Sequence, residues 1–231
     1  HYIEHRLIHI FQAKRQFLNL IDDIKPDILH VNSCWEPLCS YTVFWAKSKN
    51  YPVVITPHGM LEPWVLAKNY WKKKLPALLF YQKYSLKMAD VLVATAETEK
   101  NNLLKLGYNK NIKIVPNGVI TDNTNTKKSW KRTQTILYVG LLRPNKGANI
   151  LLEAVGLLKN QLKGYKIFIA GPDTEGYLKT LKELSIKLNI ENIVYFLGGV
   201  FGKEKWELYK QADIFILPTL NENFGIVIAE A

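Results

Sequence analysis

Apolar residues fall at helical spacing in the opening stretch, residues 5–24, where Leu7, Phe11, Leu18, Ile21 and Ile24 form one stripe that ends before Pro26. The period then changes. Short apolar runs at Asp27–Val31, Val53–Thr56 and Asp90–Thr95 are rich in β-branched residues and bounded by turn formers. Such runs predict strands buried on both faces, as in a parallel sheet. Between the last two, Lys72–Met88 reads as a helix. After Thr95 another helix opens with Glu97 and Glu99 in its first turn, where acids suit the positive end of the dipole, and it stops at Gly107. Ile112–Val115 is a further strand, closed by Pro116-Asn117-Gly118.

Residues 121–134 are polar, rich in Thr, Asn and Lys, and almost free of aliphatics, which marks a linker. Beyond it the alternation restarts. Strands are predicted at Thr135–Val139, Tyr165–Ala170, Asn192–Phe196 and Asp213–Leu217, and helices at Ala148–Lys159, Glu175–Leu188 and Lys203–Gln211, with a last helix starting near Phe224. Strands alternating with helices on both sides of a linker predict an α/β chain of two Rossmann-like, doubly wound domains. The expected division is a first domain over 1–122, a linker over 123–134 and a second domain over 135–231. No Met opens the chain, and Ala231 falls inside an apolar run without a helix stop. Both domains are therefore expected to be incomplete, the first lacking its opening strands and the second its closing ones.

Composition narrows the class. The 231 residues are 48% apolar and 22% charged, values of a globular protein with a real core. No apolar run approaches the ~18 residues of a spanning helix, and the first residues lead into a helical pattern rather than an apolar leader. A cytoplasmic protein is expected. The net charge of +11 favours anionic partners such as nucleotide phosphates, acidic lipid headgroups or nucleic acid, without choosing among them. Cys34 and Cys39 read as reduced thiols rather than a bridge or a metal pair.

Candidate chemistry concentrates at strand ends. In Pro218-Thr-Leu-Asn-Glu222-Asn223-Phe224-Gly225-Ile-Val-Ile-Ala-Glu230, a strand ends, a loop carries Glu222, and a helix starts near Gly225 and bears Glu230. Ligands of open α/β sheets sit beyond the carboxyl ends of strands, and a helix N-terminus offers free N–H groups to a diphosphate. At ~1.5 Å rise per residue, the helical spacing would put the two carboxylates about 10 Å apart, enough to span a sugar and a ribose. A second constellation, Val139-Gly140-Leu141-Leu142-Arg143-Pro144-Asn145-Lys146-Gly147, sets a lysine at a helix start, where a leaving diphosphate would find a mobile positive charge. A third, Thr56-Pro57-His58-Gly59, puts a histidine just past the Val53–Ile55 strand, able to donate to a sugar hydroxyl. Gly171-Pro172-Asp173 and Gly198-Gly199 also follow strands.

Here the wording becomes specific. Glu222 and Glu230 match the E-x7-E motif of retaining glycosyltransferase family 4, and Glu-Asn-Phe-Gly…Glu-Ala resembles that family's text. The Gly140–Gly147 loop is similar to its G-R-L-x-x-x-K-G loop, except that the arginine following the glycine is replaced by Leu141; Arg143 is the substitute at hand. The resemblance implies the GT-B fold with the active site between two domains, the first on the acceptor side and the second binding the nucleotide sugar. It implies a metal-independent hexosyltransferase that needs no cofactor and moves a sugar from a nucleoside-diphosphate sugar, with retention, to a glycan or lipid-linked glycan acceptor. His58, Lys146 and Glu222 are then the catalytic candidates. Gly140, Arg143, Lys146, Gly171, Gly198, Asn223, Phe224, Gly225 and Glu230 are the candidates for holding the donor, with Glu230 on the ribose.

His1-Tyr-Ile-Glu4-His5 spells the inverted zinc-protease signature, but no further carboxylate motif follows, and a solvated helix face accounts for it. Six lysines lie between Glu62 and Asp90 with no acid among them, interleaved with Trp64, Tyr70 and Trp71. This segment reads equally as an anionic-membrane surface at the inner face of the plasma membrane or as a solvated lysine face on a core helix. A related GT-B sugar-nucleotide epimerase is the alternative enzyme. A basic nucleic-acid-binding module rests on charge alone and lacks any reader motif, so no nucleic-acid partner is expected. No G-x-G-x-x-G follows a strand, which disfavours a dinucleotide oxidoreductase.

Overall fold

The computed structural model describes residues 10–119, 132–222 and 224–231. The chain divides into two compact units, His1–Asn117 and Gly118–Ala231. The first contains α1 (Ile10–Ile24), β1 (Leu29–Val31), α2 (Pro37–Ser48), β2 (Val53–Ile55) and α3 (Pro63–Ala67). A helical stretch follows in which π-helical turns Tyr70–Lys74 and Leu78–Gln82 alternate with α4 (Leu75–Ala77) and α5 (Lys83–Met88). Then come β3 (Val91–Ala94), α6 (Glu97–Leu106) and β4 (Ile112–Ile114). The strands form a parallel sheet in the order β1-β2-β3-β4. Val53, Ile55, Leu92 and Ala94 are buried in it against Phe17, Ile21, Val43, Ala46, Leu86 and Leu103 from the helices.

Two features depart from the pattern read in the sequence. Helix α2 was not predicted. Leu38, Tyr41 and Trp45 line one side of it and Cys39, Val43 and Ala46 the other, so no single apolar stripe stands out, while Pro37, which suggests a turn, sits at its first helical position where a missing N–H costs nothing. Its ring Trp45 packs on Phe17 of α1 and stacks with Tyr41, at centroid distances of 5.8 and 6.0 Å. The predicted Lys72–Met88 helix is real but not uniformly α. Lys74 and Leu75 donate five residues back, to the carbonyls of Asn69 and Tyr70, immediately before Pro76. A widened turn relieves the clash that a proline makes with the carbonyl four residues earlier.

The second unit contains β5 (Thr135–Val139), a 3₁₀ turn Pro144–Lys146, α7 (Ala148–Leu157), β6 (Lys166–Ala170), α8 (Tyr177–Lys187), β7 (Val194–Gly198), α9 (Gly202–Gln211), β8 (Ile214–Phe215) and α10 (Ile226–Glu230). All four strands are parallel in the order β7-β6-β5-β8. Every residue of β5 is buried. Its side chains alternate between two cores: Ile136 and Tyr138 join Leu151, Leu152, Ile167, Ile169 and Leu181, whereas Leu137 and Val139 join Ala170 and Val200. Both units thus have the parallel, helix-flanked sheets of the two-Rossmann architecture that the alternation implied. In the second, β5, β6 and β7 step one way while β8 returns to the other side of β5. The loops leaving β5 and β8 therefore flank the topological switch point, where open α/β sheets bind ligands.

An aspartate clamps the amino edge of each sheet. Asp90, just before β3, accepts from the Val53 amide at 2.7 Å and from Lys47 Nζ at 2.9 Å. Asp213, just before β8, accepts from the amides of Thr133 and Thr135 at 3.0 and 3.1 Å. The carboxyl edge of the second sheet is closed by glycines. A Cβ on Gly171 would lie 1.7 Å from the Gly140 carbonyl oxygen, and one on Gly147, at φ +75°, 1.9 Å from that of Pro218. The loops after β5, β6 and β8 meet backbone to backbone.

Two predictions concern stability. The Val53 amide and Lys47 hold the Asp90 carboxyl below its ordinary range. A group depressed on folding stabilises above its unfolded value, near ~3.9, and loses that contribution as pH falls through the folded value. Asp90→Asn is therefore expected to lower the melting temperature at neutral pH, with the gap from the parent closing in acid below the folded value; a gap independent of pH would remove the charge from the explanation. For the glycines, Gly147→Ala is expected to unfold at clearly lower urea than Gly176→Ala. Gly176 has a similar φ of +77° but nothing within 4 Å of an added Cβ, so its alanine variant should cost only the ~1–2 kcal/mol of left-handed backbone. Equal midpoints would show that the Pro218 contact is not a constraint.

Candidate active site

At the switch point, the Gly140–Gly147 loop is held from beneath. Leu142 N donates to the Pro172 carbonyl at 3.1 Å, and the hydroxyl of Tyr138, a fully buried β5 residue, donates to the carbonyls of Leu141 and Lys146 at 3.2 and 3.4 Å. Burial, with Glu222 and Tyr177 nearby, pushes the Tyr138 hydroxyl above its ordinary range and keeps it a donor. The loop then tightens into its 3₁₀ turn, reverses at Gly147 and enters α7. Across from it, Leu220 N and Thr219 Oγ1 donate to the Asn145 carbonyl at 2.9 and 3.2 Å. This zipper brings Lys146 Nζ to 2.6 Å from Glu222 Oε2, with both side chains partly open to solvent. Two residues that are 76 apart in sequence thus form one charge pair beyond the carboxyl ends of adjacent strands.

Glu230 sits on α10 and is gripped from α9. Lys205 Nζ donates to one carboxylate oxygen at 2.6 Å and the Tyr209 hydroxyl to the other at 3.1 Å, leaving the side chain 10% exposed. Burial and the neighbouring Glu230 raise the Tyr209 hydroxyl above its usual range. A carboxylate offers about four lone-pair sites, so two remain for a ligand. The spacing estimate for the two glutamates needs correction. Only Ile226–Glu230 is helical, and Gly225 is left-handed at φ +70°, so the chain turns between Glu222 and Glu230 and a straight helical rise does not apply. Gly225 is buried and Phe224 half-buried beside this turn, while Asn223 lies outside the described residues.

The remaining donor candidates are placed as follows. Arg143 reaches the loop after β6, pairing with Glu175 at 3.2 Å and donating to Thr174 Oγ1 at 3.1 Å. Its Nε is buried with no hydrogen-bond partner among the described residues. Gly171 N donates to the Gly198 carbonyl at 2.7 Å, and Gly140 N to that of Ala170 at 3.0 Å. Close backbone packing accounts for glycine at 171; at Gly140 an added Cβ would meet side chains instead, the Tyr138 hydroxyl at 3.2 Å and Leu217 at 3.4 Å, and nothing lies within 4 Å of a Cβ at Gly198, where φ is +75°.

In the first unit, His58 is exposed at the end of β2 in a left-handed conformation, φ +50°, followed by Gly59 at +74°. Its Nε2 meets Asn32 Oδ1, from the loop after β1, at 3.1 Å. Beneath this elbow lies Glu99, which is 1% exposed. Its Oε1 accepts from Gly59 N at 2.6 Å, and its Oε2 from Thr95 N and Oγ1 at 2.7 and 2.8 Å. The sequence suggested only a dipole role for Glu99, and it gave no sign of Asn32, Lys205 or Tyr209 as partners. Lys205 and Tyr209 do stand four apart on one helix, a spacing that puts them on one face, but nothing local says which face meets Glu230.

Cys34 and Cys39 are free thiols, and burial pushes both above the ordinary thiol range. Among the described residues, no three His, Cys, Asp or Glu side chains cluster as a metal site. The His1–His5 motif lies outside those residues, as do residues 123–131 of the expected linker.

Comparison with known proteins converges on one group. A protein of Klebsiella pneumoniae described as an uncharacterized 41.2 kDa protein in the cps region is 27% identical over 93% of this chain and 61% of its own length. The D-inositol 3-phosphate glycosyltransferase of Corynebacterium jeikeium is 31% identical over 62% of this chain and 39% of its own. The chain thus spans less than two thirds of the length of these relatives. Among solved structures, HepE of Anabaena in complex with UDP-glucose superposes with a TM-score of 0.73 at 17% identity, covering 100% of this chain and 64% of that one. Sucrose-phosphate synthase from Thermosynechococcus elongatus gives 0.70 at 19%, covering 98% and 59%. These likenesses establish the shared GT-B fold. Residues 120–231 match the family described as Glycosyl transferases group 1, and residues 1–123, more than half of the chain, match Glycosyltransferase Family 4. The chain belongs to glycosyltransferase family 4.

Proposed function

We propose that the protein transfers a hexosyl group from a nucleoside-diphosphate sugar, with retention and without a metal, to a glycan or lipid-linked glycan acceptor. The observation that carries this reading is the Lys146–Glu222 pair at the switch point of the second sheet. The UDP and UDP-glucose bound in the HepE structures support a nucleotide-sugar donor. In this reading Lys146 and the first-turn amides of α7 take the charge that grows on the departing diphosphate. Glu222 lies beside the transferred sugar, and Glu230 uses its two remaining lone-pair sites for the ribose hydroxyls. His58 donates to a sugar hydroxyl. The bond from the anomeric carbon to the phosphate oxygen breaks while the acceptor oxygen bonds to the same face. The acceptor's proton passes to the leaving oxygen.

The full-length protein tests this directly. Incubation with a panel of nucleotide sugars, with and without a glycan acceptor, should give an acceptor-dependent glycoside with the donor's anomeric configuration; donor turnover that ignores the acceptor favours the epimerase. Glu230→Ala should weaken nucleotide binding by about 1.5–3 kcal/mol, the worth of a charged hydrogen bond. Lys146→Ala should depress kcat by about 10²–10³ and change donor KM less. An unchanged nucleotide affinity in the first variant removes the ribose assignment. A negligible effect of Arg143→Ala would show that this residue does not stand in for the arginine missing at Leu141.

A second element of the proposal concerns location. The segment between Glu62 and Asp90 exposes Trp71 at 78% and Phe80 at 79%, together with Lys68, Lys72 and Lys73. Lys74 is turned inward, 3.9 Å from the Trp35 ring centroid, and burial lowers its pKa. No helix among the described residues is long and apolar enough to cross a membrane. Exposed aromatics beside an acid-free lysine row suit peripheral binding to an anionic surface at the cytoplasmic face, at about 1 kcal/mol per lysine. Co-sedimentation with anionic vesicles should be strong at low salt and lost at high salt. It should also weaken in a Lys72→Glu, Lys73→Glu variant. Binding indifferent to both would leave the lysines as a solvated helix face.

A further inference from the structure

We propose that Glu99 is a positioning residue for His58, a role that rests on the reading of His58 as a donor-contacting group. The amide of Gly59 belongs to the peptide that joins it to His58. By accepting from that amide at 2.6 Å, Glu99 fixes the peptide plane on the carboxyl side of the histidine. With His58 at φ +50° and Gly59 at +74°, the direction of the imidazole depends on a backbone conformation that a histidine does not adopt by default. The other carboxylate oxygen is bound to the amide and hydroxyl of Thr95, at the end of β3, so the elbow after β2 is tied to the neighbouring strand. Asn32 holds the ring itself from the loop after β1. The imidazole is therefore set by the ends of three adjacent strands, and Glu99 supplies the two buried links.

A carboxylate is required at this place because three donors converge on it. Glutamine keeps the shape but offers an NH₂ group to one side, so one N–H or O–H must face another donor. A merely structural role predicts lost stability. A positioning role predicts lost kcat as well, through the same residue as His58.

The test uses the full-length protein. Glu99→Gln is expected to lower kcat about 10- to 100-fold, the scale of a misplaced catalytic contact, with donor KM within about twofold. Gly59→Ala, which strains the elbow at φ +74° and so disturbs the amide that Glu99 holds while leaving the carboxylate itself in place, should act in the same direction and decides the matter if Glu99→Gln does not fold. The Glu99→Gln, His58→Ala double variant should be no slower than His58→Ala alone. Leu103→Ala, a buried apolar truncation on the same helix as Glu99, is the stability control, with a lower melting temperature and the parental kcat. Parental kcat in both Glu99→Gln and Gly59→Ala, or fully additive losses in the double variant, overturns the positioning role while leaving His58 intact as a candidate. Parental kcat in His58→Ala overturns the reading of the histidine and this inference with it.

Discussion

Parallel pairing imposes one constraint on everything else in this chain. When every strand of a sheet runs the same way, all the carboxyl ends lie on one edge, and every connection must leave from that edge and return over a helix. The backbone groups at the strand ends are then crowded together and still need partners. Each unit meets that demand with specific residues. On the amino edges the partner is an aspartate that accepts the first amide of the neighbouring strand. On the carboxyl edge of the second unit it is backbone itself, which requires glycine at 147 and 171 because any Cβ would overlap a carbonyl. In the first unit it is the buried carboxylate of Glu99. The same crowding that must be resolved for folding therefore decides which side chains stand at the site.

The Lys146–Glu222 pair illustrates how little of this arrangement is owed to electrostatics. Both side chains are partly solvated, and a pair of that kind contributes about 0–1 kcal/mol. What holds the two together is the backbone zipper of Leu220 and Thr219 onto the Asn145 carbonyl and the Gly147–Pro218 contact below it. Because the pair is weak, parting Lys146 from this carboxylate would cost little. The backbone contacts beneath it fix where the lysine side chain begins. Glu230 is the opposite case. It is nearly buried and engaged on both oxygens, so its position is set before any ligand arrives.

How much of this was legible in the sequence follows from the range of each interaction. Strand β5 was readable to the residue because Thr135–Val139 is a short run rich in β-branched residues, bounded by polar residues on one side and Gly140 on the other. Lys146, Glu222 and Glu230 could be singled out because motif wording fixes them relative to nearby glycines. Helix α2 escaped because its apolar residues cover all sides and a proline opens it. Glu99 was seen and undervalued, since an acid in a first helical turn has an adequate local explanation, and its true partner, Gly59, is 40 residues away. Lys205 and Tyr209 could not be assigned at all, because which face of α9 meets α10 is decided by packing and not by local pattern.

Leu141 is where the chain departs from its family's wording, and Arg143 is the nearest cation in the loop. With leucine at 141, the positive charge of the loop moves two residues along the chain, to a side chain anchored at the loop after β6. The guanidinium has a buried inner nitrogen and an outer end paired with Glu175 and Thr174 near the surface. With its base enclosed, the planar fork makes its contacts at the outer end, unlike the point charge of a lysine on a flexible stem. The outer pair is partly exposed and worth about 0–1 kcal/mol, so breaking it is cheap; moving the base is not, because the loop itself is fixed by Pro172 and Tyr138. Any service Arg143 gives to a diphosphate must therefore come from the side of the β6 loop, whereas Lys146 approaches from the start of α7. Arg143 and Lys146 leave the same Gly140–Gly147 loop and lean toward different neighbours, the loop after β6 and the loop after β8.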